Sequence, residues 1–265
     1  VSSGAVLDLN GQTLTNSGNL SISGTGMASS GALMNSSVTG ATYAGSLLLG
    51  SAATIVADTG SITFTKIGTT TGAYLLTLDG AQGGSIASVI ATAAGGITKA
   101  GSGTWTLSAV NTYTGATTIS AGTLQLWTGG SLSSSTQVTM SGSASFDLNG
   151  NNLSLSFLTG AANNLIYNSK IGTTSTLTLS GATTTTYAGV VADNTGTGGT
   201  IALIRSSSSA SAIFTLSGAN TYTGGTTISG GVLAISSDGN LGAVPSSFTA
   251  NAITLSGGEL RATAS

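Results

Sequence analysis

The sequence predicts an all-β fold, a right-handed parallel β-helix (β-solenoid) of stacked irregular coils, on three observations. The first is a long internal repeat. The stretch Gly103–Leu124, GTWTLSAVNTYTGATTISAGTL, returns without a gap at Ala212–Leu233 as AIFTLSGANTYTGGTTISGGVL. Repetition on this scale means similar units that stack, none of which buries its apolar face alone. The second is the period. Trp105, Leu107 and Ile119 alternate with Thr and Ser in short runs broken by Asn and Gly. A period of two over such runs reads as strand, turn, strand. The third is the uneven spacing of these elements, which suits a solenoid whose turns accept insertions better than a propeller with fixed blades.

Taken in order, Val6-Leu7-Asp8-Leu9-Asn10-Gly11 opens one long pattern and Phe146-Asp147-Leu148-Asn149-Gly150 opens it again. Lys66-Ile67-Gly68-Thr69-Thr70 comes back as Lys170-Ile171-Gly172-Thr173-Thr174, and a copy of the long repeat follows each time. Residues 1–265 therefore read as a single solenoid of two super-repeats, about 1–144 and 145–265. The gap from the Asp-Leu-Asn-Gly turn to the Lys-Ile-Gly motif is longer in the first, which puts an insertion between Met27 and Ile62. A smaller element of apolar, Thr or Ser, apolar, Ser or Asp, then Gly recurs, as in Leu76-Thr77-Leu78-Asp79-Gly80 and Leu177-Thr178-Leu179-Ser180-Gly181. With coils of ~20–24 residues, inward Leu, Ile and Val form the core and outward Thr and Ser face water.

The long repeat resembles the autotransporter-associated β-strand repeat of bacterial autotransporter passengers and long surface proteins. The residues that carry the resemblance are Gly103-Thr104-Trp105-Thr106-Leu107-Ser108, Asn111-Thr112-Tyr113-Thr114-Gly115 and Thr117-Thr118-Ile119-Ser120-Ala121-Gly122-Thr123-Leu124. The second copy continues through Ser236–Gly242 to Ile253-Thr254-Leu255-Ser256-Gly257-Gly258. The resemblance implies export, an extracellular or cell-surface location, and adhesion or biofilm roles. It brings no catalytic residues.

Composition narrows the function classes. The chain has no Cys and no His, charged residues are 5% of it, and the net charge is −2. Ser-His and Cys-His nucleophile pairs are excluded in their usual form. Lys66, Lys99, Lys170, Arg205 and Arg261 are scattered in sequence, whereas nucleic acid or an anionic membrane needs clustered basic residues. No run approaches the ~20 apolar residues of a spanning helix, so no membrane insertion of this segment is expected. The Gly-rich run Gly196–Gly199 lacks the Lys of a phosphate loop, and no carboxylate-dense loop offers calcium its six to eight oxygens. No cofactor and no metal are expected. The seven acids are isolated in sequence, so a polysaccharide-acting enzyme would need two of them brought together by the fold.

Few residues stand out as sites. Trp127 lies in the turn-like Leu126-Trp127-Thr128-Gly129 and is a candidate contact for glycan or a partner protein. Trp105 and Phe214, equivalent in the two copies, are expected in the core. The tyrosines of the recurring Tyr-x-Gly turns, Tyr43, Tyr113, Tyr187 and Tyr222, either pack there or line one edge as contacts. Neither end shows a polar cap, and open β edges pair with other chains. Head-to-tail self-association through edge residues Leu7, Leu9, Leu255 and Leu260, or continuation in a longer chain, is the expectation. The predicted function is a non-catalytic extracellular stalk, fibre or matrix element, with an adhesin as the alternative.

Overall fold

The computed structural model describes residues 1–15, 18–194, 198–243 and 252–263, which fall in two compact units, Val1–Ser133 and Ser134–Ser265. Each unit is a parallel β-solenoid. In the first, one face stacks Leu7–Asp8, Leu33–Met34, Ala53–Val56 of a longer strand, Leu76–Asp79, Ile97–Lys99 and Thr117–Ile119. The next face stacks Thr13–Leu14, Ala41–Tyr43, Ile62–Phe64, Gly83–Ile86, Thr104–Leu107 and Thr123–Leu126. The third face is less regular. Asn19–Gly24 pairs with Ser46–Val56, Thr69–Thr70 pairs with Val89–Ile90, and single bridges join Leu48 to Thr71 and Val110 to Ser131.

The register explains the alternation in the sequence. On the first face Ile55, Leu78, Lys99 and Ile119 stand in one inward column, 23, 21 and 20 residues apart. Beside them Thr54, Thr77, Thr98 and Thr118 form an outward column. Each threonine is half-buried by its neighbours in the column, a position that suits a β-branched side chain. On the second face Tyr43, Phe64, Ile86, Leu107 and Leu126 make the inward column, and all five are buried. Beneath Trp105 lies Gly84, where a Cβ would run into the Ile62 carbonyl oxygen and stand 3.1 Å from the indole ring.

In the second unit one face runs through Gln137–Met140, Phe157–Gly160, Thr185–Tyr187, Ile213–Leu216, Val232–Ile235 and Glu259–Ala262. Another holds Ser145–Asp147, Leu165–Asn168 and Val190–Asp193. A third holds Leu153–Leu155, Thr174–Leu179, Thr200–Ser206, Thr226–Gly230 and Ile253–Leu255. Its coils are more uneven than expected. Register partners are 29 residues apart from Tyr187 to Leu216 but 19 apart from Leu216 to Ile235. Corner loops absorb the difference, because only the strand registers are constrained by the neighbouring coil.

The opening motifs of the two super-repeats build the same corner. Asn10 and Gly11 have φ of 44° and 70°, and Asn149 and Gly150 have 43° and 78°. This left-handed conformation favours Asn and Gly. Asp8 Oδ1 accepts the N–H of Asn10 (2.9 Å) and of Ser36 one coil on (3.0 Å). Asp147 Oδ1 does the same with Asn149 (2.9 Å) and Ser169 (3.0 Å). The insertion expected between Met27 and Ile62 is built as solenoid. It includes the strands Leu33–Met34, Ala41–Tyr43 and Ser46–Val56, which together supply one complete extra coil.

Burial sets the energetic contrast between the two columns. Leu78→Ala, deep in the core, should cost about 2–5 kcal/mol in urea unfolding. Thr77→Ala on the same strand, facing outward, should change stability by less than about 1 kcal/mol.

Candidate functional site: the repeat coil and an exposed corner

Each copy of the long repeat closes one turn of the solenoid. In the first, Thr104–Leu107 leads through a corner to Thr117–Ile119, and Thr123–Leu126 then lies back in register on Thr104–Leu107. In the second, Ile213–Leu216, Thr226–Gly230 and Val232–Ile235 do the same. The corner between the strands is held by a buried asparagine. Asn111 Oδ1 accepts the Ile90 N–H at 2.9 Å, and its Nδ2 donates to the carbonyls of Ala109 (3.1 Å) and Ser131 (2.9 Å). One side chain thus joins three successive coils. Asn220 repeats this, accepting from Val191 N–H at 2.7 Å and donating to the Asn240 carbonyl at 2.6 Å.

Two residues on, a tyrosine turns inward. The Tyr113 hydroxyl lies 2.7 Å from Thr117 Oγ1, and the Tyr222 hydroxyl 2.7 Å from Thr226 Oγ1. Burial pushes the Tyr222 phenol up to about 12 against the opposing pull of its hydrogen bond with Thr226, and pushes that of Tyr113 up as well. Both stay neutral. Tyr43 and Tyr187 are also buried. Of the two expectations for these tyrosines, core packing holds and a stripe of contacts along one edge does not: the ring fills the corner, and in Tyr113 and Tyr222 the hydroxyl finds its partner inside. Trp105 and Phe214 are core residues as expected, and the Trp105 indole N–H reaches the Asp79 carbonyl at 3.1 Å.

Trp127 is 55% exposed at the corner after Thr123–Leu126. Its N–H donates to the Leu107 carbonyl (2.9 Å) and its carbonyl accepts from Gly130 (2.7 Å), so a fixed backbone presents the ring. Leu7 is half-buried and Leu9 is buried within the first unit. Leu255 is 58% exposed on Ile253–Leu255, and Leu260 is half-buried on Glu259–Ala262.

Five of the aspartates, Asp8, Asp58, Asp79, Asp147 and Asp193, accept backbone N–H groups. Asp58 and Asp79 are brought to one corner on neighbouring coils, where Asp58 accepts the Ala81 N–H (3.1 Å) and Asp79 the Gly80 N–H (2.7 Å). Asp193 accepts from Ile201 N–H (2.7 Å) and from Thr223. Burial pulls the Asp8 carboxyl up, but hydrogen bonds from Ser36 and Asn10 outweigh it and leave it below its usual value. Glu259 is paired with Arg261 at 2.7 Å. No group of three His, Cys, Asp or Glu gathers among the described residues. Of the Gly-rich run considered for phosphate, Gly196 and Thr197 lie outside the described residues. No described helix is long and apolar enough to cross a membrane.

The family profile described as passenger-associated-transport-repeat matches residues 97–126 and 211–235. These two spans hold both Asn–Tyr corners and the strands that flank them. The chain carries the passenger-associated-transport-repeat twice. This is the passenger repeat expected from the sequence. No curated protein and no solved structure matches the chain. In both passenger-associated-transport-repeat coils the asparagine reaches the coil before and the coil after. Asn220→Ala would leave the Val191 N–H and the Asn240 carbonyl without their partner, at a cost of about 2–4 kcal/mol in urea unfolding. Tyr222→Phe, which removes one hydrogen bond and keeps the ring, should cost about 1 kcal/mol.

Proposed function

We propose that this chain is a non-catalytic solenoid segment of an exported bacterial surface protein, with the mechanical task of a stalk, fibre or matrix element. The observation that carries this reading is the passenger-associated-transport-repeat, found twice and built each time as a coil of a parallel solenoid. Three features support it. The outward columns are largely Thr and Ser, the charged share is 5%, and five of the aspartates are engaged by backbone N–H groups. Surface labelling tests it. An antibody to the chain should stain intact cells of the producing bacterium, and external protease should remove the signal. Staining that appears only after lysis overturns the reading.

The reading extends to end-to-end self-association through strand edges bearing Leu255 and Leu260. Negative-stain microscopy at micromolar concentration should show fibres, which Leu255→Lys should disperse without unfolding the chain. Leu255 is the better probe than Leu9, since Lys at the buried Leu9 would disrupt the coil itself. A second reading, an adhesive segment that binds glycan or protein, is favoured by the exposed, backbone-fixed Trp127. Aromatic faces are common contacts for ligands. A glycan-array signal lost in Trp127→Ala would support it, and a signal unchanged by that substitution would remove Trp127 from it.

A further inference from the structure

Two of the five basic residues lie in the core. Lys99 and Arg205 are 0% and 1% exposed, and neither touches a carboxylate. They lie on different sheets but hold equivalent places relative to the repeat motifs. Lys99 stands between Leu78 and Ile119, and Arg205 between Leu179 and Ile228. Below each is a Leu-Thr-Leu-Asp/Ser-Gly strand end and above each is the Thr-Thr-Ile strand of the passenger-associated-transport-repeat. A cation buried without a counter-ion is costly unless its hydrogens are all engaged.

Here main-chain oxygens engage them. Lys99 Nζ donates to the carbonyls of Ala100, Gly101 (3.0 Å) and Ala121 (3.0 Å). Arg205 donates to Leu179 (2.9 Å), Gly181 (3.0 Å), Ala212 (2.9 Å) and Val232 (3.4 Å). Ala100, Gly101, Ala121 and Gly181 lie just beyond strand ends, at corners between faces, while the Ala212 carbonyl also accepts the Val232 N–H of the next coil (2.9 Å). The acceptors of Arg205 come from three successive coils. We propose that Lys99 and Arg205 are cross-coil staples, each gathering the corner carbonyls of neighbouring turns and so setting how readily the solenoid opens at that corner.

The staples differ in one respect. Arginine keeps its charge at any accessible pH. Burial pushes the Lys99 amine down to about 8, with Asp79 on the preceding coil pushing it back up; Thr117–Ile119 above it bears no titratable group. Opening returns the amine to water and to its ordinary value of 10.5. Between these values opening takes up a proton, so the first unit resists opening more as pH rises, and below pH 8 the effect is flat.

Hydrogen exchange on the full chain tests the staples. Arg205→Met should speed exchange of the amides near residues 179–182 and 212–214 by roughly tenfold or more, while residues 76–90 stay unchanged. Arg205→Lys, which keeps the charge and the fold but reaches fewer carbonyls, should fall between the two. Exchange in Arg205→Met that is unaltered, slower, or faster by the same factor throughout the second unit overturns the proposal. If Arg205→Met does not fold, Arg205→Lys decides on the same amides. For Lys99, the urea midpoint of the wild type should rise between pH 8 and 10 relative to Lys99→Arg. Parallel pH profiles for the two proteins overturn the titrating staple.

Discussion

In a parallel solenoid the backbone N–H and C=O groups of a strand find partners only in the coils above and below, so the coil-to-coil register governs everything else. Here the register is held by side-chain period. Leu78, with Ile55 below it and Ile119 two coils above, is inward, while Thr77 beside it is outward. A slip of one residue would turn this whole inward column to water. The core is narrow, and its burial comes from columns that continue from coil to coil and not from one large cluster.

Corners are the weak points of such an arrangement, because the ladder stops where the chain changes face. This chain answers with buried polar groups that reach across coils. Asn111 and Asn220 each serve an N–H on the coil before and a carbonyl on the coil after. Asn35 and Asn168 do the same beside the Asp8 and Asp147 turns, accepting from Gly11 (2.9 Å) and Gly150 (2.7 Å). Amide side chains suit the task because they donate and accept at once. Columns of threonine then remain outside, as at Thr54, Thr77, Thr98 and Thr118.

The solenoid, its alternation and the repeat coil were legible in the sequence because they follow from a period of two and from a gapless internal match. The extra coil between Met27 and Ile62 was visible only as a gap in the pattern. A coil added to a solenoid keeps no fixed length and shows no motif, so its nature as a full turn appears only in the pairing of Leu33 with Ile55. The tyrosines were ambiguous for another reason. A Tyr beside Gly in a turn can point either way, and the corner cavity with its waiting Thr117 or Thr226 hydroxyl is a property of the packed coil.

The sequence by itself determined the all-β class, the inward and outward sides of the repeat strands, and the likeness of Gly103–Leu124 to Ala212–Leu233 as one repeated coil. Each of these rests on local period or on likeness at fixed spacing. The tertiary structure alone decided that Lys99 and Arg205, scattered basic residues in the linear chain, hold equivalent places relative to the repeat motifs. Lys99 lies 21 residues after Leu78, but Arg205 lies 26 after Leu179, so no alignment at constant offset pairs them. The stacking of one coil on the next does, because it measures position along the strand ladder and not along the chain.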